Sequence, residues 1–407
     1  MEPVRTIELP PVMAAPETAR VFEALTSDGA KARFVGGCVR DSLLHRPVKD
    51  IDIATDAEPE RVLRLLAAAR LRAIPTGLAH GTVTAVSSGS HYEITTLRHD
   101  VETFGRHARV AFTDDWMIDA SRRDFTMNAL FCGIDGDLYD PFGGVGDALA
   151  GHVRFVGDPR ARITEDVLRL LRFFRFQAHY GRTPPEPAAL EACAELAPLL
   201  PTLSGERIHG ELFRLLRAHD PVPVLRLMAE LDVPRHLLPR PASPEGLHRL
   251  LEIARHRDDP VLRLAALLET DRAGALAVAE RLRLSNAETD RLALLAAPPP
   301  SLLDAIAHGE LRRALYQAGV ETVRDVTLLR APERLAEVGL AIAAWDDPKF
   351  PLQGRDLIDA GVPPGKGMGQ LLRDLERWWE DRDHRPSRED CLTELRGRLG
   401  DPPGGSA

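Results

Sequence analysis

The sequence predicts an α+β protein: a small mixed α/β head followed by an elongated, all-helical neck, body and tail. Three observations carry this. Short β-rich runs crowd the first 150 residues, the strand signal almost vanishes after residue 160, and Leu, Ala and Arg then recur at helical spacing. In the head the runs are ARFVGG (32–37), DIDIAT (50–55), GTVTAV (81–86), HYEITTL (91–97), RVAF (109–112), NALFCGID (128–135) and DLYDPFGG (137–144), with a helical pattern from Glu58 to Leu71 among them. Beyond it, LRLLRFFRFQAHY (168–180), ERIHGELFRLLRAH (206–219), GLHRLLEIARH (246–256), VLRLAALLE (261–269) and LLRDLERWWED (371–381) read as helices. Proline and glycine punctuate them at GRTPPEP (181–187), RPASPEG (240–246), APPPS (297–301) and GVPPGKG (361–367). The chain thus divides into a head over 1–150, a neck over 151–220, a body over 221–345 and a tail over 346–407. Its last six residues, PPGGSA, read as a disordered end. No internal repeat is present.

Composition narrows the class. A chain of 407 residues is long enough for about two to four domains of ~100–200 residues each. Hydrophobic residues at 44% and charged residues at 28% are ordinary for a soluble globular protein. Lys and Arg number 52 against 61 Asp and Glu, a net charge of −9, which excludes a protein holding nucleic acid by bulk charge. A local basic groove on an acidic body stays open, because steering depends on where charge sits. Four cysteines, Cys38, Cys132, Cys193 and Cys391, are far apart with no CxxC pair, which speaks against a disulfide scaffold or a thiolate zinc site and for a reducing compartment. The first residues, MEPVRTIELPPVMAAPETAR, carry acids and prolines where a signal peptide needs a basic start and an apolar run. No stretch approaches the ~20 uninterrupted apolar residues of a membrane span. The expectation is a soluble cytoplasmic protein without a membrane partner; its oligomeric state is left open.

The densest chemical signal is FVGGCVRDSLLHRPVKDIDIAT (34–55). Gly36 and Gly37 follow an apolar strand and precede a helix-compatible segment, so a phosphate can approach bare backbone N–H groups there. In a strand Asp50 and Asp52 project to one face while Ile51 and Ile53 enter the core. Two like charges so close call for a cation, and Mg²⁺, a hard ion that takes carboxylate and phosphate oxygens, is the common solution. Glu93 alternates with Tyr92 and Ile94, and a neighbouring strand can bring it beside Asp50 and Asp52, where three carboxylates around metal would activate a hydroxyl and stabilise leaving pyrophosphate. In SRRDFTMNAL (121–130), Arg122 and Arg123 offer forked donors for phosphates, and Asp124 can accept from a ribose hydroxyl.

Four motifs in one order, Gly36-Gly37-Cys38-Val39-Arg40-Asp41, Asp50-Ile51-Asp52, Arg122-Arg123-Asp124-Phe125-Thr126-Met127-Asn128 and Glu165-Asp166-Val167-Leu168-Arg169, resemble the class II tRNA nucleotidyltransferases. These are the CCA-adding enzymes and bacterial poly(A) polymerases of the DNA polymerase beta superfamily. The resemblance covers about residues 30–220 well and the tail less specifically. It implies that the GGxVRD and DxD segments hold triphosphate and metal, that the RRD segment (with Asn128) recognises the ribose, and that Glu165, Asp166 and Arg169 read the base. The implied partners are the tRNA 3′ end, CTP and ATP, with Mg²⁺ as cofactor.

The base-reading residues also make chemical sense. Thr164, with acids just after it, reads as a helix start, which places Asp166 and Arg169 at i and i+3 on one face. A carboxylate accepts from an exocyclic amine and Arg donates to a ring nitrogen, so this pair suits cytosine and adenine and opposes uracil and guanine. Arg172 and Arg175 continue the helix, with Arg160 and Arg162 before it, as a local basic cluster for RNA backbone or triphosphate. Leu171, Phe173, Phe174 and Phe176 read as core. The neck helix of SGERIHGELFRLL (204–216) and the segment GRDLIDAGVPPGKGMGQLL (354–372) resemble the family's neck and tRNA-gripping tail, with Trp378 and Trp379 packing the tail. GVPPGKG is no phosphate loop: three residues separate Gly361 from Gly365, and Gly367 follows Lys366. His219-Asp220 has no second His/Asp pair to complete a metal phosphohydrolase. RHDVETFGRHARVAF (98–112) resembles the flexible loop that CCA-adding members keep and CC-adding members shorten. The reading is template-independent addition of C, C and A. Its competitors are an A-adding, CC-adding or poly(A)-adding enzyme and, from another class, a non-catalytic RNA-binding protein that intact Asp50 and Asp52 argue against.

Overall fold

The computed structural model describes residues 1–104, 107–255 and 257–400, with backbone alone over 100–104 and 107–109. The expected disordered end, PPGGSA, lies outside the described residues. The head strands are β1 (Arg5–Thr6), β2 (Ala32–Val35), β3 (Ile51–Thr55), β4 (Arg72–Gly77), β5 (Thr82–Ser87), β6 (Ser90–Thr96), β7 (Arg98–Phe104), β8 (His107–Phe112), β9 (Phe131–Cys132) and β10 (Asp137–Tyr139). Between them run helices α1 (Pro16–Thr26), α2 (Gly37–Leu43), α3 (Pro59–Ala68), α4 (Trp116–Ser121) and α5 (Gly144–Ala150). One sheet has the order β1-β10-β9-β2-β3-β6-β5-β4, and β7 with β8 forms a separate ribbon. The β3–β6 pair is parallel and sets Asp52 opposite Glu93.

Two-residue alternation gives this sheet two buried faces. Phe34 is in register with Ile53, and its ring meets Phe22 of α1 at 4.5 Å. On the other face Val35 and Ala54 join Leu97, Trp116, Ala120 and Phe131 in one cluster. Asp52 lies on that second face, one strand position beyond Ala54 towards the start of β3. The sheet therefore carries its acids on the side where α4 and the segment after it pack.

After β10 no strand occurs among the described residues. Helices α6 (Pro159–Glu165), α7 (Leu168–Tyr180), α8 (Pro187–Leu196) and α9 (Gly205–Leu216) follow, α6 against α8 and α7 against α9. Leu171, Phe173, Phe174 and Phe176 are buried as expected, and Phe125 of the head and Phe155 just beyond it reach into the same aromatic cluster. The chain separates into two compact units, Met1–Thr289 and Asp290–Ala407. In the second, Leu375, Trp379, Cys391 and Leu395 surround Leu352 and Leu357, so Trp379 packs the tail as expected and Trp378 flanks it. No described helix is long and apolar enough to cross a membrane.

Two local expectations are corrected. The helix expected to start at Thr164 is two helices: α6 ends at Glu165, and Asp166 is extended, with φ −150° and ψ 105°. The reason is the Asp166 side chain, which accepts from the Leu168 N–H at 3.1 Å and so competes with a continuing helix. Asp166 and Arg169 consequently do not share a helical face. Within 98–112, the segment that resembles the family's flexible loop, β7 and β8 pair as an antiparallel ribbon that includes the expected β-rich run 109–112, while residues 105 and 106 lie outside the described residues. The run 128–135 gives only the two residues of β9, because Thr126–Asn128 coil into a tight turn first.

Candidate active site

The glycine turn forms where β2 ends. Gly36 has φ 72°, a left-handed conformation that a side chain resists, and its N–H donates to the Leu130 carbonyl at 3.1 Å. A β-carbon there would stand 3.5 Å from Arg123 Nη1, and one at Gly37 would stand 3.7 Å from Arg40 Nη2. Bare backbone is thus flanked by two guanidiniums, an arrangement suited to phosphate. Arg40 is buried, donating to Asp41 at 2.9 and 3.0 Å and to Asn128 Oδ1 at 2.6 Å.

Asp50 and Glu93 are exposed and Asp52 is half-buried. None of the three makes a side-chain hydrogen bond or ion pair among the described residues. Burial first, then the neighbouring Glu93 and Asp50, push the Asp52 carboxyl up to about 6, against the opposing pull of Arg123. Ionising this group is costly because it is partly buried and like charge is gathered beside it, more than Arg123 offsets. Among the described residues no group of three His, Cys, Asp or Glu side chains stands close enough to hold a metal ion alone. The donor chemistry nevertheless fits Mg²⁺, which binds through one or two carboxylates plus substrate phosphates rather than in an all-protein cage.

Arg122 and Arg123 are held from below by Asp119, an acid that the sequence reading missed. It is 1% exposed and accepts from Arg122 Nε at 2.8 Å and Arg123 Nη2 at 2.8 Å. Both arginines lower the Asp119 carboxyl against the effect of burial. Asp124 is the hub beside them. Its Oδ1 accepts from the Phe125 N–H at 2.8 Å and Asn128 Nδ2 at 2.9 Å, and its Oδ2 from Arg172 Nε at 2.7 Å. Burial would raise this carboxyl, but Arg172, with the Asn128 and backbone bonds, holds it down at about 2. The chain Arg40–Asn128–Asp124–Arg172 therefore joins the glycine turn, the RRD segment and α7.

Asp166 and Arg169 are each braced by a different partner. Arg207 of α9, also missed, donates from Nη2 to both Asp166 oxygens at 2.8 and 3.0 Å. Arg169 Nη1 bonds Glu165 at 2.6 Å and the Arg162 carbonyl at 3.0 Å, while its Nη2 reaches the Arg122 carbonyl at 3.2 Å. Arg162 joins Glu165 and the Arg122 and Arg123 carbonyls, tying α6 to the RRD backbone. Arg172 and Arg175 both face Glu211, which is 3% exposed, and Arg175 Nε bonds it at 2.5 Å. Arg160 lies apart, paired with Glu195. Asp119 was legible in principle, since it stands three and four residues before the arginines, the spacing of one helical turn, at the end of α4. Arg207 and Glu211 were not, because their partners are 41 and 36 positions away.

The chain is similar to known proteins over most of its length. Residues 32–154 match the family model described as the poly A polymerase head domain, and 184–243 match the one described as a probable RNA- and SrmB-binding site of polymerase A. The chain is 34% identical over 395 residues to the mitochondrial CCA tRNA nucleotidyltransferase 1 of Danio rerio, covering 92% of each chain. It is 34% identical over 376 residues to the CCA-adding enzyme of Lacticaseibacillus paracasei, covering 88% of this chain and 90% of that one. Among solved structures, the Bacillus stearothermophilus CCA-adding enzyme in complex with CTP superposes with a TM-score of 0.76 at 28% identity, covering 95% of this chain and 98% of that one.

Proposed function

The chain belongs to the family of CCA-adding tRNA nucleotidyltransferases, and from that premise we propose that it extends the tRNA 3′ end with C, C and A, taken from CTP and ATP without a nucleic-acid template. The observation that carries the reading is the hydrogen-bonded chain Arg40–Asn128–Asp124–Arg172, which makes one site of the phosphate turn, the sugar-facing acid and the base-facing helix. The tRNA 3′ hydroxyl attacks the α-phosphate, the new P–O bond forms, and the bond to the β-phosphate breaks with release of pyrophosphate. Asp50 and Asp52, together with phosphate oxygens, would hold Mg²⁺, which would supply the charge neutralisation this step needs. Gly36 and Gly37 let the triphosphate approach backbone N–H groups, with Arg40, Arg122 and Arg123 beside them. Glu93 adds a third carboxylate opposite Asp52. Asp124, kept ionised, accepts from a ribose hydroxyl.

Hydrogen-bond capacity supports the base assignment. A carboxylate has roughly four lone-pair sites, and Asp166 uses three of them on Leu168 and Arg207, which leaves one on Oδ2 for an exocyclic amine. A guanidinium has about five N–H donors, and the three that Arg169 uses on protein leave two for a ring nitrogen. The pair is fixed in place yet still able to bond. Arg172 and Arg175 hold Asp124 and α7 in position beside the nucleotide. We assign the head to 1–150, the neck to 151–220, the body to 221–345 and the tRNA-gripping tail to 346–407. Four free, buried cysteines suit a reducing setting such as the cytoplasm. The test is incubation with tRNAs ending before CCA, after CC and after CCA, each with one labelled nucleotide. Ordered C, C, A addition is expected; growth beyond A, or no incorporation, would overturn the reading.

A further inference from the structure

The last turn of α7 grips the segment that carries the carboxylates. Tyr180 is half-buried between two guanidiniums, that of Arg40 at 4.2 Å from the ring centre and that of Arg46 at 4.4 Å. Its hydroxyl donates to Asp41 Oδ1 at 3.0 Å, and its ring stacks on Phe176 at 5.4 Å. Arg46 also donates from Nη2 to the His179 carbonyl at 2.8 Å, and His179 Nε2 lies 2.7 Å from the Arg214 carbonyl at the end of α9. An aromatic face attracts a cation, so one ring with Asp41 beside it holds two like charges that would otherwise repel.

Arg46 belongs to the connection 44–50 that leaves α2 and delivers Asp50 and Asp52 to β3. This connection turns through His45 at φ 54°, and the Arg46 N–H closes on the Asp41 carbonyl at 2.8 Å. Residues 45–47, 49 and 50 are exposed. Without Tyr180 and the His179 carbonyl, the side of Arg46 that now meets α7 would face solvent. We propose that Tyr180 and Arg46 are positioning residues, which clasp the connection 44–50 to the end of α7. The helix that carries Arg169 and Arg172 then also sets where Asp50 and Asp52 stand. The inference rests on the nucleotidyl-transfer reading above.

The test compares Tyr180→Leu, Tyr180→Phe and Arg46→Ala with the parent protein, measuring CMP addition to tRNA lacking CCA and backbone amide exchange. Tyr180→Leu and Arg46→Ala should lower kcat on the order of tenfold or more, as small misplacements of reacting groups do, with KM for CTP unchanged. Exchange over 44–50 should quicken roughly tenfold while 168–176 is unaltered, the sign of local rather than global loosening. Tyr180→Phe keeps the ring between the guanidiniums and should recover most of kcat. A merely structural tyrosine predicts faster exchange throughout α7, a lower Tm and no rescue by Phe, and that result would overturn the clasp. Unchanged kcat and exchange in Arg46→Ala, in a parent that adds C, C and A, would overturn it as well while leaving the function intact. A parent that adds no nucleotide would instead sink the function, and the clasp with it.

Discussion

Replacing Asp166 with Ala separates base reading from helix building at one position. In the structure Asp166 accepts from the Leu168 N–H and twice from Arg207, with capacity left for one amine. Losing the bond to the Leu168 N–H removes one hydrogen bond at the start of α7, worth about 1 kcal/mol. Its ion pair with Arg207 is partly exposed, at 23% and 24%, so its loss adds little to instability after solvent screening. A missing charge-assisted bond to the base amine costs about 1.5–3 kcal/mol in the transition state, roughly ten- to hundredfold in kcat/KM for CTP and ATP. UTP and GTP, whose carbonyls meet that carboxylate acceptor to acceptor, lose nothing there and should gain relative to C and A. Arg207→Ala should give a weaker version of the same change, because the acceptor remains but its direction is freed. The assay is kcat/KM for each of the four nucleotides in single additions, with Tm measured on each variant. An equal proportional loss for all four nucleotides, tracking Tm, would refute the base-reading role.

Other perturbations follow from the same geometry. Asp50→Ala or Asp52→Ala should lower incorporation by on the order of several decades while tRNA binding persists, and chelating the divalent metal should do the same to the parent; near-normal turnover in both variants would reject the metal assignment. Asp124→Asn should relax the preference for ribonucleotides over deoxyribonucleotides, read as a ratio of kcat/KM values, and unchanged discrimination would move ribose recognition elsewhere. The Asp52 carboxyl, raised from 3.8 to about 6, gives a pH signature in metal-free protein. The folded state binds this proton more tightly than the unfolded one, so its contribution to stability is complete below about pH 4 and is lost as pH rises through about 6. Asp52→Asn should remove that component from the dependence of Tm on pH; an identical profile would mean another group titrates.

Sequence showed the head well because its signals are local. Two-residue alternation gave β3, β5 and β6 nearly to the residue, and glycines at a strand end marked the phosphate turn. The alternation of Tyr92 and Ile94 gave the face of Glu93, and the parallel β3–β6 pairing sets it in register with Asp52. What escaped was non-local or competed with a stronger local rule. β4 contains Pro75 and few apolar residues, so no strand pattern advertised it. The break at Asp166 came from one side chain taking the Leu168 N–H, while the flanking Leu and Phe spacing argued for a continuous helix. The partners Arg207 and Glu211 sit on an ordinary amphipathic face of α9, and only the packing of α7 against α9 gives them a role.

That packing alters what the basic cluster on α7 is for. Arginines along a helix of an acidic protein suggest a strip for RNA phosphates. Here Arg162, Arg169, Arg172, Arg175, Arg207 and Arg214 are met by Glu165, Asp166, Glu211 and Asp124. Guanidiniums locked into such pairs add little non-specific affinity, because counterion release needs charge that RNA itself neutralises. They add rigidity instead: Glu211, buried at 3% exposure, fixes Arg175 and lies beside Arg172, and Arg172 in turn fixes Asp124. Removing a buried carboxylate that three arginines share leaves uncompensated charge, at a cost of about 3–5 kcal/mol. Tight pairing suits a reader of donors and acceptors, which fails if its groups can rotate to suit the wrong base. On the reading proposed above, the α7 face would then serve discrimination between bases more than non-specific affinity for RNA.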